Sequence, residues 1–438
     1  LNDEKIHSLI EKSANSYWLS NLYNHEDELT DDEVRQIIRF AYISTVASLN
    51  SEEDIKNVHY AYIALKSIDI TRERESNLFS EIAGFDLCDD SIIYYFYLSS
   101  LALKMDQTIN ARLDLKNYTQ IDNVSEDWMN RVLTGILQAL ILLIRKSNGY
   151  EDIRKALTII SSLQKEQKEF EEGFINQYQT NEQNEIAYSL VSLYHTSKAL
   201  TETANYLVEG YGYKNRIENV VRQHLDIAIK LQNEDSRLCD FVKFIGKDLY
   251  CLISNSIWKG TGFQDSIRDL CKKIGDERDI IELLPSQRRA MEDKLFDVAA
   301  NATVLQMPTS AGKTLMAEFN ILITKSLRRD ARIVYIVPSR ALVNQIYYDL
   351  SSDLSVLGLT VEKTSSATEI DPTESDFLIS DNIDVLVSTP EKLDLLIRRN
   401  HPSVDDVSLF ILFYAHIIVN VFRCARLELL FSLLHWLR

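Results

Sequence analysis

Apolar residues recur at helical spacing through the first 284 residues of this 438-residue chain. Thr30 and Glu33 form a capping-box pattern, in which each side chain bonds to the backbone N–H of the other residue at a helix start. Four apolar residues then follow at i, i+3, i+4 and i+7, on one helical face: Val34, Ile37, Ile38 and Ala41. Ser51 and Asp54 repeat the start signal farther along. This part of the chain is predicted to be helical.

The apolar segment that begins at Trp128, with Ser125 as its predicted cap, leaves little polar surface. It is therefore expected at the centre of a helical bundle. Asn148–Gly149 are predicted to end it, and a charged amphipathic segment follows over residues 151–172. Residues 92–97 read IIYYFY, which is a strand-like composition. Their helical neighbours favour a buried helix there, with a strand as the alternative.

Short, nearly continuous apolar runs separated by helical segments replace this pattern after residue 300. The predicted strands are residues 303–306, 332–337, 384–388 and 409–412. Strands of this kind, alternating with helices, form parallel sheets that bind ligands at the carboxyl ends of their strands. The predicted fold class is therefore α + α/β: a large all-helical N-terminal domain followed by one parallel-sheet lobe.

Proline use divides the chain at the same place, because none of the six prolines precedes Pro285. We predict an all-α accessory or scaffold domain over residues 1–284, with a break between two sub-bundles near 148–150, and an incomplete sheet lobe over residues 285–438. The helical domain contains no catalytic constellation. Its histidines are isolated and lack metal-ligand spacing: His7, His25, His59, His195 and His224. We interpret this domain as a scaffold or as the part that binds a protein partner.

Charge and cysteine content narrow the classes of function. The chain carries 47 Lys+Arg and 65 Asp+Glu. Residues 285–438 hold 16 of the basic and 19 of the acidic residues, which gives them a net charge of −3. The first 284 residues therefore have a net charge of −15. Because acidic surface repels phosphate, nucleic-acid contacts are expected only in the later part. Five scattered cysteines favour a reducing compartment.

The sequence also bears on location. Its first residues lack the basic and apolar regions of a signal peptide. Two uncharged runs, of 13 and 16 residues, are shorter than the roughly 20 apolar residues that cross a bilayer. We therefore expect a cytoplasmic protein without membrane contact.

A loop of small residues joins the run 303–306 to the helical segment 315–327. Its sequence is Met307, Pro308, Thr309, Ser310, Ala311, Gly312, Lys313 and Thr314. Gly312 lets the backbone approach a phosphate, and successive N–H groups at the helix start point at it. Lys313 then reaches the terminal phosphates and Thr314 ligates Mg²⁺. The loop predicts a phosphate-binding site, although Met307 replaces the first glycine of the usual P-loop pattern.

Four short segments, taken in their order and spacing, carry a family resemblance. They are LPSQ at 284–287, PTSAGKT at 308–314, VPSRALVNQ at 337–345 and STPEKLD at 388–394. They look like the adenine-reading motif and motifs I, Ia and Ib of superfamily 2 DEAD/DEAH-box helicases. Residues 283–438 resemble the first RecA-like lobe of that family, and most of all its Ski-type branch.

The resemblance implies ATP and Mg²⁺ as cofactors. Its ATP-binding residues would be Gln287, Pro308, Thr309, Ser310, Ala311, Gly312, Lys313 and Thr314. Lys313 and Thr314 would act in catalysis, with Thr314 as a metal ligand. The residues along a DNA or RNA strand would be Pro338, Ser339, Arg340, Thr389, Pro390 and Glu391. Such contacts go to phosphate and sugar, so they imply little sequence specificity.

The sequence departs from the family at motif II, which should read Asp-Glu-Ala-His after residues 409–412. Phe413 and Tyr414 take the two carboxylate positions, while Ala415 and His416 match. An aromatic pair can neither hold Mg²⁺ nor position the attacking water. The sequence then ends before a second RecA-like lobe. We expect this chain alone to be deficient in hydrolysis.

Three interpretations stay open at this point. The sequence is a truncated, decayed or mis-sequenced copy of a longer ATP-dependent helicase; or it is an ATP-sensing or ATP-independent partner protein; or it is part of a split system whose second lobe lies on another chain. A hypothesis from another class is a helical interaction protein with a degenerate nucleotide-binding lobe. Whether the chain is itself an enzyme is therefore undecided by its sequence.

Overall fold

The protein divides into two compact units, one helical and one built on a sheet. The first comprises Leu1–Lys259 and Gly275–Pro285, and the second comprises Gly260–Ile274 and Ser286–Arg438. The computed structural model describes residues 4–24, 28–50, 55–71, 87, 89–121, 127–177, 182–210, 214–232, 236–260, 265–297, 300, 302–308, 311–364 and 383–413. Over these residues the chain is mostly helical, with one four-stranded parallel sheet, so the predicted fold class is confirmed.

The described helices of the first unit are numbered in chain order. They are α1 (Glu4–Ala14), α2 (Trp18–Tyr23), α3 (Asp31–Asn50), α4 (Ile55–Thr71), α5 (Asp90–Lys104), α6 (Thr108–Asp114), α7 (Trp128–Arg145), α8 (Glu151–Gln177), α9 (Glu182–Glu209), α10 (Lys214–Lys230) and α11 (Arg237–Asn255). A 3₁₀ helix, Ile257–Gly260, follows. Helix α12 (Asp265–Arg278) passes from residues of the second unit into residues of the first.

Helix α7 forms the centre of the helical unit, as its composition predicts. Every residue from Val132 to Ile144 is buried. By length and composition α7 could cross a membrane, but 78% of it is buried inside the protein, as in the core helix of a folded domain. Its start corrects the sequence interpretation: Asp127 is the cap, and its carboxylate accepts from the backbone N–H groups of Met129 and Asn130. Ser125 lies outside the described residues.

The end of α7 also differs from the prediction, which placed it at Asn148–Gly149. The helix ends at Arg145, and Lys146 takes a left-handed conformation. Arg112 donates to the carbonyls of Arg145 and Lys146, at 3.2 and 3.0 Å, and buried Lys146 pairs with Glu282. Tertiary contacts to the last carbonyls therefore end the helix before the local turn signal does.

Two further predictions for this unit are confirmed. The backbone N–H of Glu33 donates to the Thr30 hydroxyl at 3.3 Å, and Glu33 accepts from the N–H of Thr30 at 2.9 Å, which is the capping box. Residues 92–97 are buried in helix α5, and Phe96 stacks on Phe241 of α11. The Ser51 and Asp54 signal lies outside the described residues, although α4 begins at Ile55.

Two histidines that are isolated in sequence meet in the fold. His195 on α9 and His224 on α10 bring their Nδ1 atoms to 2.9 Å. Burial and the neighbouring ring of His224 lower the pKa of His195. Among the described residues there is no group of three or more side chains that could hold a metal ion. This pair is therefore interpreted as part of the packing between α9 and α10.

The second unit is built around a parallel sheet. Its strands are β1 (Arg332–Ile336), β2 (Val361–Lys363), β3 (Val385–Ser388) and β4 (Val407–Leu412), in the order β2-β3-β1-β4. Its helices are α13 (Pro285–Glu292), α14 (Lys313–Leu327), α15 (Arg340–Ser355) and α16 (Pro390–Arg398), with a 3₁₀ helix at Pro402–Val404. Val334 and Ile336 of β1, Leu386 of β3 and the apolar face of α16 share one core cluster.

Three of the four predicted strands are confirmed, and the one at residues 303–306 is wrong. That run is irregular, and Val304 is 89% exposed. Only Val304 and Leu305 are strongly apolar there, so adding this run to the sheet would bury little surface against the entropy of ordering the backbone. Strand β2 was not predicted, because Val361 is the single apolar residue in its three positions.

Candidate nucleotide and nucleic-acid site

The predicted phosphate loop leads into the start of α14. Met307 and Ala311 are buried and Pro308 is exposed, whereas Thr309 and Ser310 lie outside the described residues. Gly312 precedes the helix with φ of +75°, a conformation that L side chains adopt at a cost. The backbone conformation of this residue therefore favours glycine.

Gln287 on α13 lies directly against this glycine. Its side chain is 3% exposed, and its Nε2 donates to the carbonyl of Gly312 at 3.4 Å. A Cβ atom at position 312 would come within 2.1 Å of the same Nε2. Residues 25 positions apart in the chain thus meet at the start of α14.

Lys313 and Thr314 occupy the first turn of α14. Both are half-buried, and the first turn of α14 carries no acidic residue. The unpaired N–H groups of a helix start and the positive end of its dipole attract anions. This end of α14, with the Lys313 ammonium in its first turn, therefore suits a polyphosphate.

Phe413 stands where the resemblance expects the first carboxylate of motif II. It follows β4, and its backbone N–H donates to the carbonyl of Ile336 at 2.9 Å. Its half-buried ring lies 6.0 Å from the ring of buried Tyr335. Helix α14 packs against β4. The hydroxyl oxygen of Thr314 is a suitable ligand for Mg²⁺, whereas the aromatic ring of Phe413 offers no oxygen ligand. Tyr414, Ala415 and His416 lie outside the described residues.

Two capped helices begin at the carboxyl edge of the sheet. Ile336 of β1 pairs with Ser388 of β3, so the residues that follow lie at the same edge. The hydroxyl of Ser339 accepts from the N–H of Leu342, and Thr389 accepts likewise from Lys392, each at 3.4 Å. These caps fix the starts of α15 and α16, whose N–H groups can meet phosphate.

The six residues expected along a nucleic-acid strand differ in exposure. Ser339, Arg340 and Glu391 are exposed, Pro338 and Pro390 are half-buried, and Thr389 is 6% exposed. A guanidinium at Arg340 suits a phosphate. Glu391 carries negative charge into the first turn of α16, so its carboxylate suits a sugar hydroxyl or a base amine rather than a phosphate.

Sequence reasoning missed the part of this edge that β2 supplies. The hydroxyls of Thr364 and Ser388 are 3.3 Å apart, and the N–H of Thr364 donates to the carbonyl of Val387. Lys363 lies beside the side chains of α15. A turn with Gly358 in a left-handed conformation, φ +70°, precedes β2, and such a turn is the local signal that could have indicated a further strand.

Comparison with known families agrees with this geometry. Residues 284–435 match the family model of the DEAD/DEAH box helicase. The match includes the phosphate loop, both capped helix starts and Phe413. It supports the helicase superfamily as the class of protein to which this part of the chain is related.

Individual relatives point the same way. The ATP-dependent DNA helicase Hel308 of Thermococcus kodakarensis is 32% identical over 166 residues, covering 38% of this chain and 14% of that protein. The Hachiman protein HamB of Bacillus cereus is 30% identical over 142 residues, 32% of this chain and 12% of that protein. Hel308 of Pyrococcus abyssi is 30% identical over 167 residues, which cover 38% of this chain and 22% of that protein. The chain thus matches less than a quarter of the length of each.

Proposed function

We propose that this chain contains the first RecA-like lobe of a helicase-like protein of the Ski-type branch, which binds ATP and contacts single-stranded nucleic acid without sequence specificity. The observation that carries the proposal is the contact of Gln287 with Gly312 at the start of α14. DNA is the preferred nucleic acid, since two of the relatives bear the name DNA helicase. A cytoplasmic location belongs to the same proposal.

The residues of the site divide the work of holding ATP. The side-chain amide of Gln287 can donate a hydrogen bond to a ring nitrogen and accept one from an amino group. Adenine offers both groups on one edge. Backbone N–H groups at the start of α14 and the Lys313 ammonium hold the phosphates. The Thr314 hydroxyl would ligate Mg²⁺, which neutralises charge on the phosphates when it is bound.

We further propose that this chain hydrolyses ATP poorly. The ring of Phe413 packs on Tyr335 at the end of β4, where a carboxylate would be needed to hold the metal ion. Nucleic-acid contact does not depend on that carboxylate. The chain would then bind both ligands while lacking the hydrolytic step.

Binding of a fluorescent ATP analogue tests the nucleotide part of the proposal. Lys313→Ala should weaken binding at least about tenfold, because a charge-assisted hydrogen bond contributes about 1.5–3 kcal/mol. Arg329→Ala is the matched control, since it removes an exposed positive charge from the same unit. Equal affinity of the wild type and Lys313→Ala would contradict the proposed site.

Steady-state ATP turnover tests the second part. The wild-type chain should show no turnover above Lys313→Ala, with or without nucleic acid. Phe413→Asp combined with Tyr414→Glu should strengthen Mg²⁺-dependent nucleotide binding. Robust turnover by the wild type would show that the aromatic ring at 413 does not prevent hydrolysis.

A second candidate function is a helical interaction protein whose sheet unit no longer uses nucleotide. The observation that favours it is the aromatic packing of Phe413 against Tyr335 at the metal position. A protein partner would then bind through residues 1–284. Absence of any ATP binding by the full chain would favour this candidate over the first.

A further inference from the structure

A lysine held between two tyrosines lies beside the carboxyl end of the sheet. The Lys363 ammonium, at the end of β2, is 4.7 Å from the ring centroid of Tyr347 and 5.0 Å from that of Tyr348. It also donates to Oδ1 of Asn344 at 2.7 Å. We refer to Asn344, Tyr347, Tyr348 and Lys363 as the tyrosine–lysine patch. It combines a positive charge with aromatic surface.

The patch presents its aromatic surface to solvent. Tyr348 is 65% exposed, whereas Tyr347 is half-buried. The two rings are 5.4 Å apart with planes 65° to each other. A single exposed tyrosine needs no explanation, but cation–π contacts to Lys363 restrict the positions of both rings. An aromatic face that is held in place loses little entropy when a flat ligand stacks on it.

The patch continues the edge that carries the predicted strand contacts. Arg340, Asn344 and Tyr348 are all exposed on α15, at intervals of one helical turn. On the sheet side, Lys363 is followed by Thr364, whose hydroxyl lies 3.3 Å from that of Ser388. Because β2, β3 and β1 are parallel neighbours, their carboxyl ends form one continuous edge.

We propose that the tyrosine–lysine patch is a base-stacking subsite for single-stranded nucleic acid, extending the strand contacts of Ser339 and Arg340. Tyr348 would stack on a base, and Lys363 would pair with an adjacent phosphate. The Lys363 ammonium has three donors, and Asn344 uses one of them. A single strand is the occupant because its bases offer exposed π faces and its phosphates complement the lysine. This inference rests on the proposed nucleic-acid function.

The test compares binding of two oligonucleotides by the full chain, measured by fluorescence anisotropy. One is a thymidine oligomer of about 16 nucleotides, which is the upper end of common single-strand site sizes. The other has the same phosphates but abasic sugars. Tyr348→Ala should weaken binding of the thymidine oligomer about fivefold or more and leave abasic binding unchanged. Tyr348→Phe should bind like the wild type.

Lys363→Gln gives an independent readout. It should weaken binding of both oligomers and reduce the slope of log affinity against log salt by about 0.7, as expected for one phosphate contact to a single strand. Tyr23→Ala is the matched control for Tyr348→Ala, because Tyr23 is also strongly exposed, at 74%, but lies in the helical unit. It should change neither affinity nor slope.

The outcomes separate this inference from the proposed function. If Arg340→Ala weakens binding while the Tyr348 and Lys363 variants bind like the wild type, the subsite is overturned and the strand contacts stand. An equal loss of affinity for both oligomers in Tyr348→Ala would also overturn the proposal that Tyr348 stacks on a base. If the wild type binds neither oligomer, the nucleic-acid function fails and the subsite with it. Loss of a protein partner alone in these variants would place the patch in a protein interface and overturn the proposal.

Discussion

The helical unit and the sheet unit use their polar side chains in different ways. Inside the helical unit these side chains satisfy one another: Arg145 donates to both carboxylate oxygens of Asp152, at 2.8 Å each. At the edge of the sheet, the Ser339 and Thr389 hydroxyls accept from backbone N–H groups and fix two helix starts. The first arrangement holds helices together, and the second leaves backbone donors where a ligand can meet them.

This difference indicates where function and stability can be separated. The helical unit contributes buried ion pairs but, among its described residues, no group of metal-ligating side chains. The sheet unit carries the phosphate loop, the capped helix starts and the tyrosine–lysine patch. Substitutions in the helical unit should therefore change stability and spare nucleotide binding, and substitutions at the sheet edge should do the reverse.

The largest expected effect comes from breaking the Arg145–Asp152 pair. Asp152→Ala leaves the Arg145 guanidinium without its two carboxylate bonds and the N–H of Ser147 without its acceptor. Because the carboxylate is almost fully buried, the free energy of unfolding should fall by about 3–5 kcal/mol. Urea denaturation followed by circular dichroism measures the change. Nucleotide affinity should stay at the wild-type value.

The control for this substitution is Asp32→Ala. Asp32 also pairs with a lysine, Lys5, but both side chains are more than half exposed. Exposed pairs contribute little because water screens them. A loss of stability in Asp32→Ala as large as in Asp152→Ala would show that burial does not set the difference between the two pairs.

A change of pH is expected to have a somewhat smaller effect on stability, through the protonation of a second buried carboxylate. Burial raises the pKa of Asp248 to about 6 from 3.8, against the opposing charge of Lys104 and a hydrogen bond from Ser100. Burial also lowers the pKa of Lys104 to about 8. Since the folded state binds the Asp248 proton more tightly than the unfolded state, stability should fall as pH rises from about 4 to 6.

Comparison with Asp248→Asn isolates this contribution. At about 1.4 kcal/mol per pKa unit, the wild type should lose about 3 kcal/mol relative to Asp248→Asn across that range. Asp32→Asn serves as the opposite control, because a hydrogen bond and charge from Lys5 lower the pKa of Asp32. Thermal unfolding measured at several pH values gives both curves. Parallel curves for the wild type and Asp248→Asn would contradict the prediction.

The smallest of the three effects concerns the sheet unit. Gly312→Ala forces a side chain into a left-handed conformation and against the Gln287 amide. It should weaken ATP binding about tenfold or more and leave the unfolding of the helical unit unchanged. Gly358→Ala is the matched control: its φ is +70°, but nothing lies within 4 Å of the added Cβ. If both variants lost the same affinity for ATP, backbone strain rather than the contact with Gln287 would explain the loss, and the prediction would be wrong.

Predictions from the sequence succeeded where one local pattern determined the outcome. Strands β1, β3 and β4 are nearly continuous apolar runs, and β1 and β3 are buried along almost their whole length. Thr30 and Glu33 needed only each other to form the capping box. The roles of the phosphate loop and of Gln287 stay predictions, made from residue types and their order.

The failures lie where distant residues decide. Helix α7 ends early because Arg112 and Glu282, far from it in sequence, bind at its end. Residues 303–306 were predicted as a strand from a short apolar run, but none of them pairs with a strand of the described sheet. The contact between His195 and His224 requires the packing of two helices. Lys363 could not be recognised before β2 and α15 were placed side by side.

The course of the chain through residues 260–285 has a consequence for modularity. Residues 260–274 belong to the sheet unit, and residues 275–285 return to the helical unit before the chain enters the sheet unit again. The backbone therefore passes between the units three times, and neither unit is a single uninterrupted segment. No one cut in the gene would release either of them whole.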